Sequence, residues 1–448
     1  MAEKTIREPA RELPVAGDYD LCVLGGSCTG VFAAIRAARL GLSVALVERM
    51  GSFGGVATLS LVNIWHSDLD EAFEKRIFAG LSLEMVERLR RRDAVQDSLR
   101  SGAARWIFNS AEMQIELDEV VTEAGIDPWL HTAFCAPWVE DGRLAAVIVE
   151  NKSGRCALRA RFFIDATGDG DLCHRLGLAG RVAAHFQPGT ACALVSGWES
   201  VGQAPWREIV ARQADAHRMP KGFIWSAPVP GTDLRMLAGT RVGEDCSDAR
   251  GLTRAEIEGR RQIRAIQDIL REHVPGSRVG LAGLPARIGI RETRHIDCLH
   301  RLSGEEVLHG KRFDDAIANG SYRVDIHHRD KPGITFRYLD GRETYTRHDQ
   351  PPVEGRWRAA QAVDPTYYQI PYRCLIPQGP YGNLLAAGRF IDADEQAHAA
   401  IRVMVNMNQT GEAAGVAAAL ALRGGVAAAA VDPRQLRATL REGGSVIL

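Results

Sequence analysis

Between Tyr19 and Glu48 the chain runs through a short apolar stretch, a cluster of small residues, an amphipathic stretch and a second apolar run, and this order leaves few ways to fold. Tyr19–Leu24 reads as a buried strand. Val31, Ala34, Ile35 and Ala38 then recur at helical spacing, Gly41 stops the helix, and Ser43–Val47 forms a second strand closed by Glu48. The turn between first strand and helix is Gly25, Gly26, Ser27, Cys28, Thr29 and Gly30. A β-α-β unit with so little bulk in its turn exposes backbone N–H groups at the positive end of a helix, where a pyrophosphate can sit. Glu48 stands where a carboxylate accepts hydrogen bonds from a ribose diol, with Arg49 beside it. The unit reads as a dinucleotide site in which Ser27 replaces the usual central glycine.

Composition narrows the partners. Lys plus Arg number 55 and Asp plus Glu 56, so no overall charge draws the chain to nucleic acid or an anionic membrane. The nine cysteines are odd in number, scattered and free of any C-x-x-C pair, which fits neither a disulfide framework nor a zinc ribbon. No metal is expected. Met1–Gly17 has no apolar leader. Ala413–Leu422 is too short to span a bilayer. The expectation is a cytoplasmic protein with no nucleic-acid partner and no membrane span.

Further along, Gly51–Ser60 is a glycine-rich loop containing Gly54, Gly55, Val56, Ala57 and Thr58. Helices are expected over Glu71–Arg92 and Asn109–Ala124, and a hairpin over Trp138–Glu150 about the turn Asp141-Gly142. Ala160–Ile164 is a strand that runs into Asp165, Ala166, Thr167, Gly168, Asp169 and Gly170. Thr253 and Glu256 form a capping-box pattern for a helix ending near Arg271. Arg329–Asp364 reads as an exposed loop or hairpin, Asn383–Ala387 as a strand, and Ala399–Leu422 as one long helix of small residues.

Phe163–Leu172 is similar to the second fingerprint of glutathione-reductase-type FAD folds, and Asn383–Asp392, with Gly388 and Arg389, is similar to the third. Arg402, Val403 and Met404, followed by Thr410–Gly415, resemble the closing helix whose N-terminus faces the flavin pyrimidine edge. Arg287–Arg294, Arg312–Ala318, Tyr322–His327 and Ile370–Arg373 add family detail. From about Asp20 to Leu422 the chain resembles the bacterial FAD-dependent oxidoreductase family related to succinate dehydrogenase and fumarate reductase flavoproteins.

The resemblance implies an α/β protein: a glutathione-reductase-type, Rossmann-like FAD-binding domain with an inserted α+β substrate domain. The FAD domain would be assembled from 18–60, 125–172 and 380–448, with a helical insertion at 61–124 and a cap at 173–379. The cofactor would be FAD. Its holders would be Gly25 to Gly30, Glu48, Arg49, Gly54 to Thr58, Ala166 to Asp169, Gly388, Arg389 and Arg402 to Met404, with Ala136 offering backbone bonds to adenine.

Absences narrow the reaction. No second glycine-rich β-α-β unit follows, and Gly388-Arg389 stands where flavin hydroxylases carry Gly-Asp. A tryptophan-halogenase Trp-x-Trp-x-Ile-Pro box is absent. Hydride transfer between flavin N5 and a small polar alcohol, hydroxy acid, amine or sugar is the expected chemistry, with oxygen, a quinone or a carrier protein as the electron acceptor. His327 is the first candidate for acid/base work, since histidine titrates near neutrality; a buried histidine bonded to backbone is the competing role. His66 is the second, and a candidate covalent tether for the flavin. Arg291 suits a carboxylate or a developing alkoxide, or else a pair with Glu292. Tyr372 is a fourth catalytic candidate, as a residue lining the pocket, with aromatic packing the competing role. The alternative function is a flavoprotein subunit of an electron-transfer or RNA-modification complex, and a homodimer is one arrangement the chain allows.

Overall fold

In the computed structural model, residues 5–98 and 104–448 are described. Strand β1 (Val15–Leu24), helix α1 (Cys28–Arg39) and strand β2 (Val44–Val47) form the expected β-α-β unit, with β1 and β2 parallel. The sheet continues with β3 (Asp127–Trp129) beside β2, and with β6 (Gly154–Asp165) on the other side of β1, both parallel. The long β6 is shared. Its first half pairs antiparallel with β5 (Arg143–Asn151), which pairs with β4 (Ala133–Glu140), while Phe163–Asp165 pairs parallel with β7 (Leu384–Ala386). Every residue of β2 and β7 is buried, as parallel strands covered on both faces require.

Register sets the site. Leu24 lies opposite Val47 and Asp165, and Asp165 lies opposite Ala386, so four strands end level at one edge of the sheet. Three turns start from that edge: Gly25–Gly30, 166–170 and 387–389. Ligands of open α/β sheets bind outside the carboxyl ends of the strands, in such a crevice.

Helix α2 (Met404–Gly424) covers α1 so closely that backbones nearly touch. A Cβ at Gly411 would run into the Thr29 carbonyl oxygen, and one at Gly415 into that of Ala33. The two glycines fall four residues apart on one helical face, as do Thr29 and Ala33. Arg36 of α1 and Glu412 of α2 make a buried ion pair beside them. The expected single helix over Ala399–Leu422 is instead two, Glu395–Ile401 and α2. Val403 is the break: it takes extended backbone angles, φ −65° and ψ 145°, and starts a new helix without a side-chain cap.

Much of segment 173–379 lies in two four-stranded antiparallel sheets, called the lid below because they wall the cavity on the side away from the strand ends. One runs Trp225–Pro228, Arg235–Ala238, Cys192–Ser196, Gly280–Gly283, backed by helices Trp206–Gln213 and Ala249–His273. The other is a meander of Val324–His327, Ile334–Arg337, Arg342–Arg347 and Gln350–Arg356, so the stretch expected to be an exposed loop or hairpin carries its last three strands, the final two an antiparallel hairpin whose outer strand is exposed. The first sheet and its helices have their own apolar cores. Ile317, Val324, Tyr368 and Leu375, by contrast, pack into the main core with β1 and α1.

Three local expectations change. Segment 61–124 is more than helical: helices Leu81–Arg90 and Ser110–Glu123 flank a small antiparallel sheet of Ile64–His66, Ala104–Phe108 and Val95–Asp97. Only Leu81–Arg90 of the expected Glu71–Arg92 helix forms, starting after Gly80 at φ +63°. Thr253 does not cap its helix; Asp248 does, accepting from Arg250 and Gly251 N–H, and the hydroxyl of Thr253 turns back to the Ala249 carbonyl. Among the described residues no helix is long and apolar enough to cross a membrane.

Candidate active site

The first turn is held by its own backbone. Gly25 sits at φ +101°, and a Cβ there would collide with the Ala166 carbonyl, so the first and second turns touch. A Cβ on Gly30 would strike the Gly25 carbonyl oxygen. Glu48 spans strand and turn: its Oε2 accepts from Gly26 N–H at 2.7 Å and its Oε1 from Met50 N–H at 2.9 Å. Ser27 and Gly54 form a bridge, and a Cβ on Gly55 would lie 2.8 Å from that of Ser27. The side chain that Ser27 introduces is thus accommodated by glycine across from it. Ser27 makes no side-chain cap, which leaves the first N–H groups of α1 without intrahelical partners, a ready anion site.

The second turn hangs on Asp165. Its carboxylate accepts from Thr167 N–H at 3.1 Å, Thr167 hydroxyl at 2.8 Å and Cys173 N–H at 3.0 Å, and burial pushes it up to about 6. Arg389 of the third turn lies across Gly168 and bonds Asp169, which also accepts from Thr293 hydroxyl at 2.6 Å. Burial raises Asp169, but Arg389 and Arg287 outweigh it and hold the carboxyl below its usual range. Hence the Arg of Gly388-Arg389 is anchored by an Asp from the turn next door.

These turns open into a cavity of about 750 Å³ between sheet edge and lid. Val56, Arg389, Arg402, Val403 and Met404 face it from the nucleotide side, and His66, Arg291 and His327 from the others. Eight residues singled out from sequence therefore meet in one space. Val403 gives α2 no side-chain cap, so the Met404 and Val405 N–H groups lack intrahelical partners and the positive helix end points at this region.

His327 and Asp325 are alternate residues of Val324–His327 and share a face. His327 Nε2 is 3.3 Å from Asp325 Oδ1. Asp325 Oδ2 accepts from Tyr322 hydroxyl at 2.7 Å and from Arg402 Nη2 at 3.2 Å. Burial raises Asp325, but His327, Arg402 and Tyr322 together hold it well below the ordinary carboxylate range. Burial and then the Arg291 charge push His327 down to about 3, so its ring is neutral near pH 7. Arg291 donates from Nη1 to Pro188 carbonyl and Thr190 hydroxyl, both at 2.5 Å, and not to Glu292. Burial, then Arg402, pushes it down to about 10. His66 packs against Tyr322 with ring centres 4.1 Å apart and planes tilted by 50°; burial and then Arg323 push it to about 3, and its Nδ1 has no partner.

Other residues stand apart from the cavity. Tyr372 is a correction: it is buried in the main core with its hydroxyl on the Ala428 carbonyl at 2.9 Å, so packing claims it. The Thr58 hydroxyl bonds Phe53 carbonyl at 2.6 Å, and Ala57 is fully buried. Cys28 is buried and its thiol pushed up to about 12, which suits a space-filler. Ala136 lies in β4 opposite Ile148, at a bulge. Arg49 is exposed beside the charges of Asp169 and Arg287.

Sequence reasoning missed Asp325, although the Asp-x-His alternation in a strand carries it. It also missed Gln187, whose Oε1 accepts from His327 N–H at 3.3 Å and Arg402 Nη2 at 3.2 Å, and which no local pattern marks. A further buried group, Glu292 with His295 and His398, lies behind Gln187: Glu292 Oε1 is 3.0 Å from His295 Nε2 and 3.7 Å from His398 Nδ1.

A family described as FAD dependent oxidoreductase matches residues 20–440. The mitochondrial dihydrolipoyl dehydrogenase of Schizosaccharomyces pombe is 35% identical over 109 residues, covering 22% of this chain and 21% of the relative. Dihydrolipoyl dehydrogenase 3 of Pseudomonas putida is 33% identical over 162 residues, covering 34% and 30%. The chain thus matches a fifth to a third of the length of these curated relatives. Among solved structures, a geranylgeranyl bacteriochlorophyll reductase-like protein from Thermoplasma acidophilum superposes with a TM-score of 0.47 at 14% identity, covering 95% of this chain and 83% of the other.

Proposed function

This chain belongs to the FAD dependent oxidoreductase family, and on that premise we propose that it is an enzyme that uses FAD, bound in a glutathione-reductase-type arrangement, to oxidise or reduce a small organic substrate in the cavity under the lid. The level strand ends, the uncapped helix starts and the glycines that admit no Cβ fit an extended dinucleotide. Gly25 to Gly30 would hold the pyrophosphate, Glu48 the ribose, Arg389 and Asp169 the middle of the molecule, and the α2 N-terminus the flavin. Bound FAD supplies a two-electron partner for hydride transfer.

The observation that carries the reading is the convergence of His327, Asp325 and Arg291 on the same cavity as Arg402, Val403 and Met404. A neutral His327 accepts the proton of a substrate hydroxyl or amine. The charge that develops on its ring meets the Asp325 carboxylate at 3.3 Å. Tyr322 and Arg402 keep that carboxylate in place and ionised. Arg291, fixed through Nη1, directs its remaining N–H donors to a substrate oxygen. Electrons leave to an external acceptor. Anaerobic incubation of the FAD-loaded protein with a panel of alcohols, hydroxy acids, amines and sugars tests this: at least one should bleach the flavin, and slowly in His327→Ala. Bleaching that never occurs without a second protein would contradict it.

A further inference from the structure

Behind Gln187 a carboxylate and two imidazoles are shut away from water. Glu292, His295 and His398 are all buried, and one ligand atom from each lies within 4.8 Å of the others. Among the described residues no Lys or Arg pairs with Glu292, whose partners are these two rings. A buried carboxylate needs a cation, supplied by a charged side chain or by a metal.

Hydrogen-bond accounting narrows the choice. His295 Nδ1 is 3.1 Å from the Ile391 carbonyl, which can only accept, so Nδ1 carries the hydrogen. In the neutral ring Nε2 is then a lone pair, and it faces a second acceptor, Glu292 Oε1, at 3.0 Å. Two acceptors this close need a positive charge between them, a proton or a metal ion. His398 distinguishes the two. Its Nδ1 lies 3.7 Å from the same Oε1, beyond hydrogen-bond reach, and neither ring nitrogen has a partner among the described residues. A proton shared by Glu292 and His295 leaves that buried ring stranded, whereas a metal ion takes a lone pair from all three. The separations of 3.0 and 3.7 Å bracket the edge of a tetrahedron, about 3.4 Å for ligand bonds of about 2.0–2.1 Å.

The contacts around the three side chains are those that orient metal ligands. The Ile391 carbonyl fixes the His295 ring, and Ile296 N–H donates to the Phe390 carbonyl at 3.0 Å beside it. Glu292 Oε2 accepts from Gln187 N–H at 2.9 Å. His398 belongs to the helix Glu395–Ile401, whose start is capped by Asp394 accepting from Ala397 N–H at 2.9 Å. Two imidazoles and a carboxylate suit zinc and its first-row neighbours, whereas magnesium and calcium take oxygen ligands.

We propose that Glu292, His295 and His398 bind one divalent first-row transition-metal ion of the zinc class, which pins the strand Arg294–Ile296 to the helix Glu395–Ile401. Its role is structural. Gln187 joins the carboxylate ligand to His327 N–H and Arg402 Nη2, so the ion steadies two cavity residues from outside the cavity. The site requires neither the flavin nor a substrate.

The test begins with the zinc, iron, manganese, cobalt and nickel content of the tag-free protein purified from zinc-supplemented medium, where close to one ion per chain is expected. His217, Glu272 and His273 form a competing, more exposed group, and the His217→Gln/His273→Gln variant should keep its ion. Stripped with a chelator and titrated with zinc, that variant should bind one equivalent and regain its thermal midpoint, with magnesium giving no effect. Zinc K-edge absorption of the loaded variant, which is unaltered at the buried site, should count two imidazoles per zinc. His398→Gln should weaken zinc by about 100-fold or more, since even outer contacts are worth about 10–100-fold. The proposal is overturned by a protein that is metal-free from supplemented medium and takes up no zinc after stripping, by loss of the ion in the surface variant, by a zinc shell without two imidazoles, or by parental affinity in His398→Gln.

Discussion

His327 and Asp325 stand two residues apart on one strand with Nε2 and Oδ1 3.3 Å from each other, and the same carboxylate is gripped from its other oxygen by Tyr322 and Arg402. A charged ring on His327 is therefore stabilised only while Asp325 stays ionised and aligned. His327→Ala should slow anaerobic flavin reduction about 10²–10⁴-fold, the usual range for losing a general base. Asp325→Asn should slow it too, and in both variants FAD content should match the parent. Unchanged single-turnover rates in His327→Ala would remove the residue from the mechanism.

The acid limb of the reduction rate should lie far below the ordinary histidine value, because burial and the Arg291 charge push His327 to about 3. Protonation removes the base, so the rate stays level as pH falls through 6.5 and drops only at lower pH. Arg291→Gln takes away the larger of the two neighbouring charges that, with burial, depress the ring, the other being Arg402, and should move the limb upward. Stopped-flow rates across pH in parent and variant read the shift.

Acid should also destabilise the fold. Burial holds His66, His327 and His398 each near 3, whereas the unfolded chain takes up protons near 6.5. The unfolded state binds more protons as pH falls below 6.5, so stability is complete above that value and is lost toward 3, by up to about 1.4 kcal/mol per pH unit for each ring. Denaturant midpoints measured between pH 7 and 4 should decline steadily, and a flat profile would contradict the buried, neutral state of these rings.

At the contact between α1 and α2, Glu412 also accepts from Leu81 N–H at 3.2 Å, so one buried carboxylate ties three segments. Glu412→Ala leaves Arg36 buried without its anion and should cost about 3–5 kcal/mol. Gly411→Ala drives a methyl into the Thr29 carbonyl and should cost about 1–3 kcal/mol by overpacking. Both should lower the thermal midpoint, and Gly411→Ala should weaken FAD retention because it moves the N-terminus of α1.

Tyr372→Phe separates packing from chemistry. Losing the bond to Ala428 carbonyl should cost about 1 kcal/mol, with flavin reduction rates at parental levels. A large rate defect in a stable variant would place the hydroxyl in the reaction.

The β-α-β unit was legible because its signals are local: an apolar run, small residues, a helical period and an acid in register. The second and third turns were legible through resemblance, and the level ends of β1, β2, β6 and β7 give that resemblance its physical basis. Elements decided by tertiary contacts were not legible. The Ala399–Leu422 stretch has unbroken helical composition, and nothing local announces that Val403 interrupts it to aim a helix end at the cavity. Tyr372 follows Pro371 in a segment resembling the family, yet its ring is drawn into the core by neighbours more than fifty residues distant, Ala428 among them.

The most direct test of the whole account is the FAD content of the purified protein, measured by flavin absorbance after gel filtration and again after incubation with excess FAD. The account requires close to one FAD per chain in the parent, reduced in Glu48→Ala, which removes the carboxylate that ties Gly26 and Met50 together. A parent protein that remains colourless and takes up no FAD would contradict it.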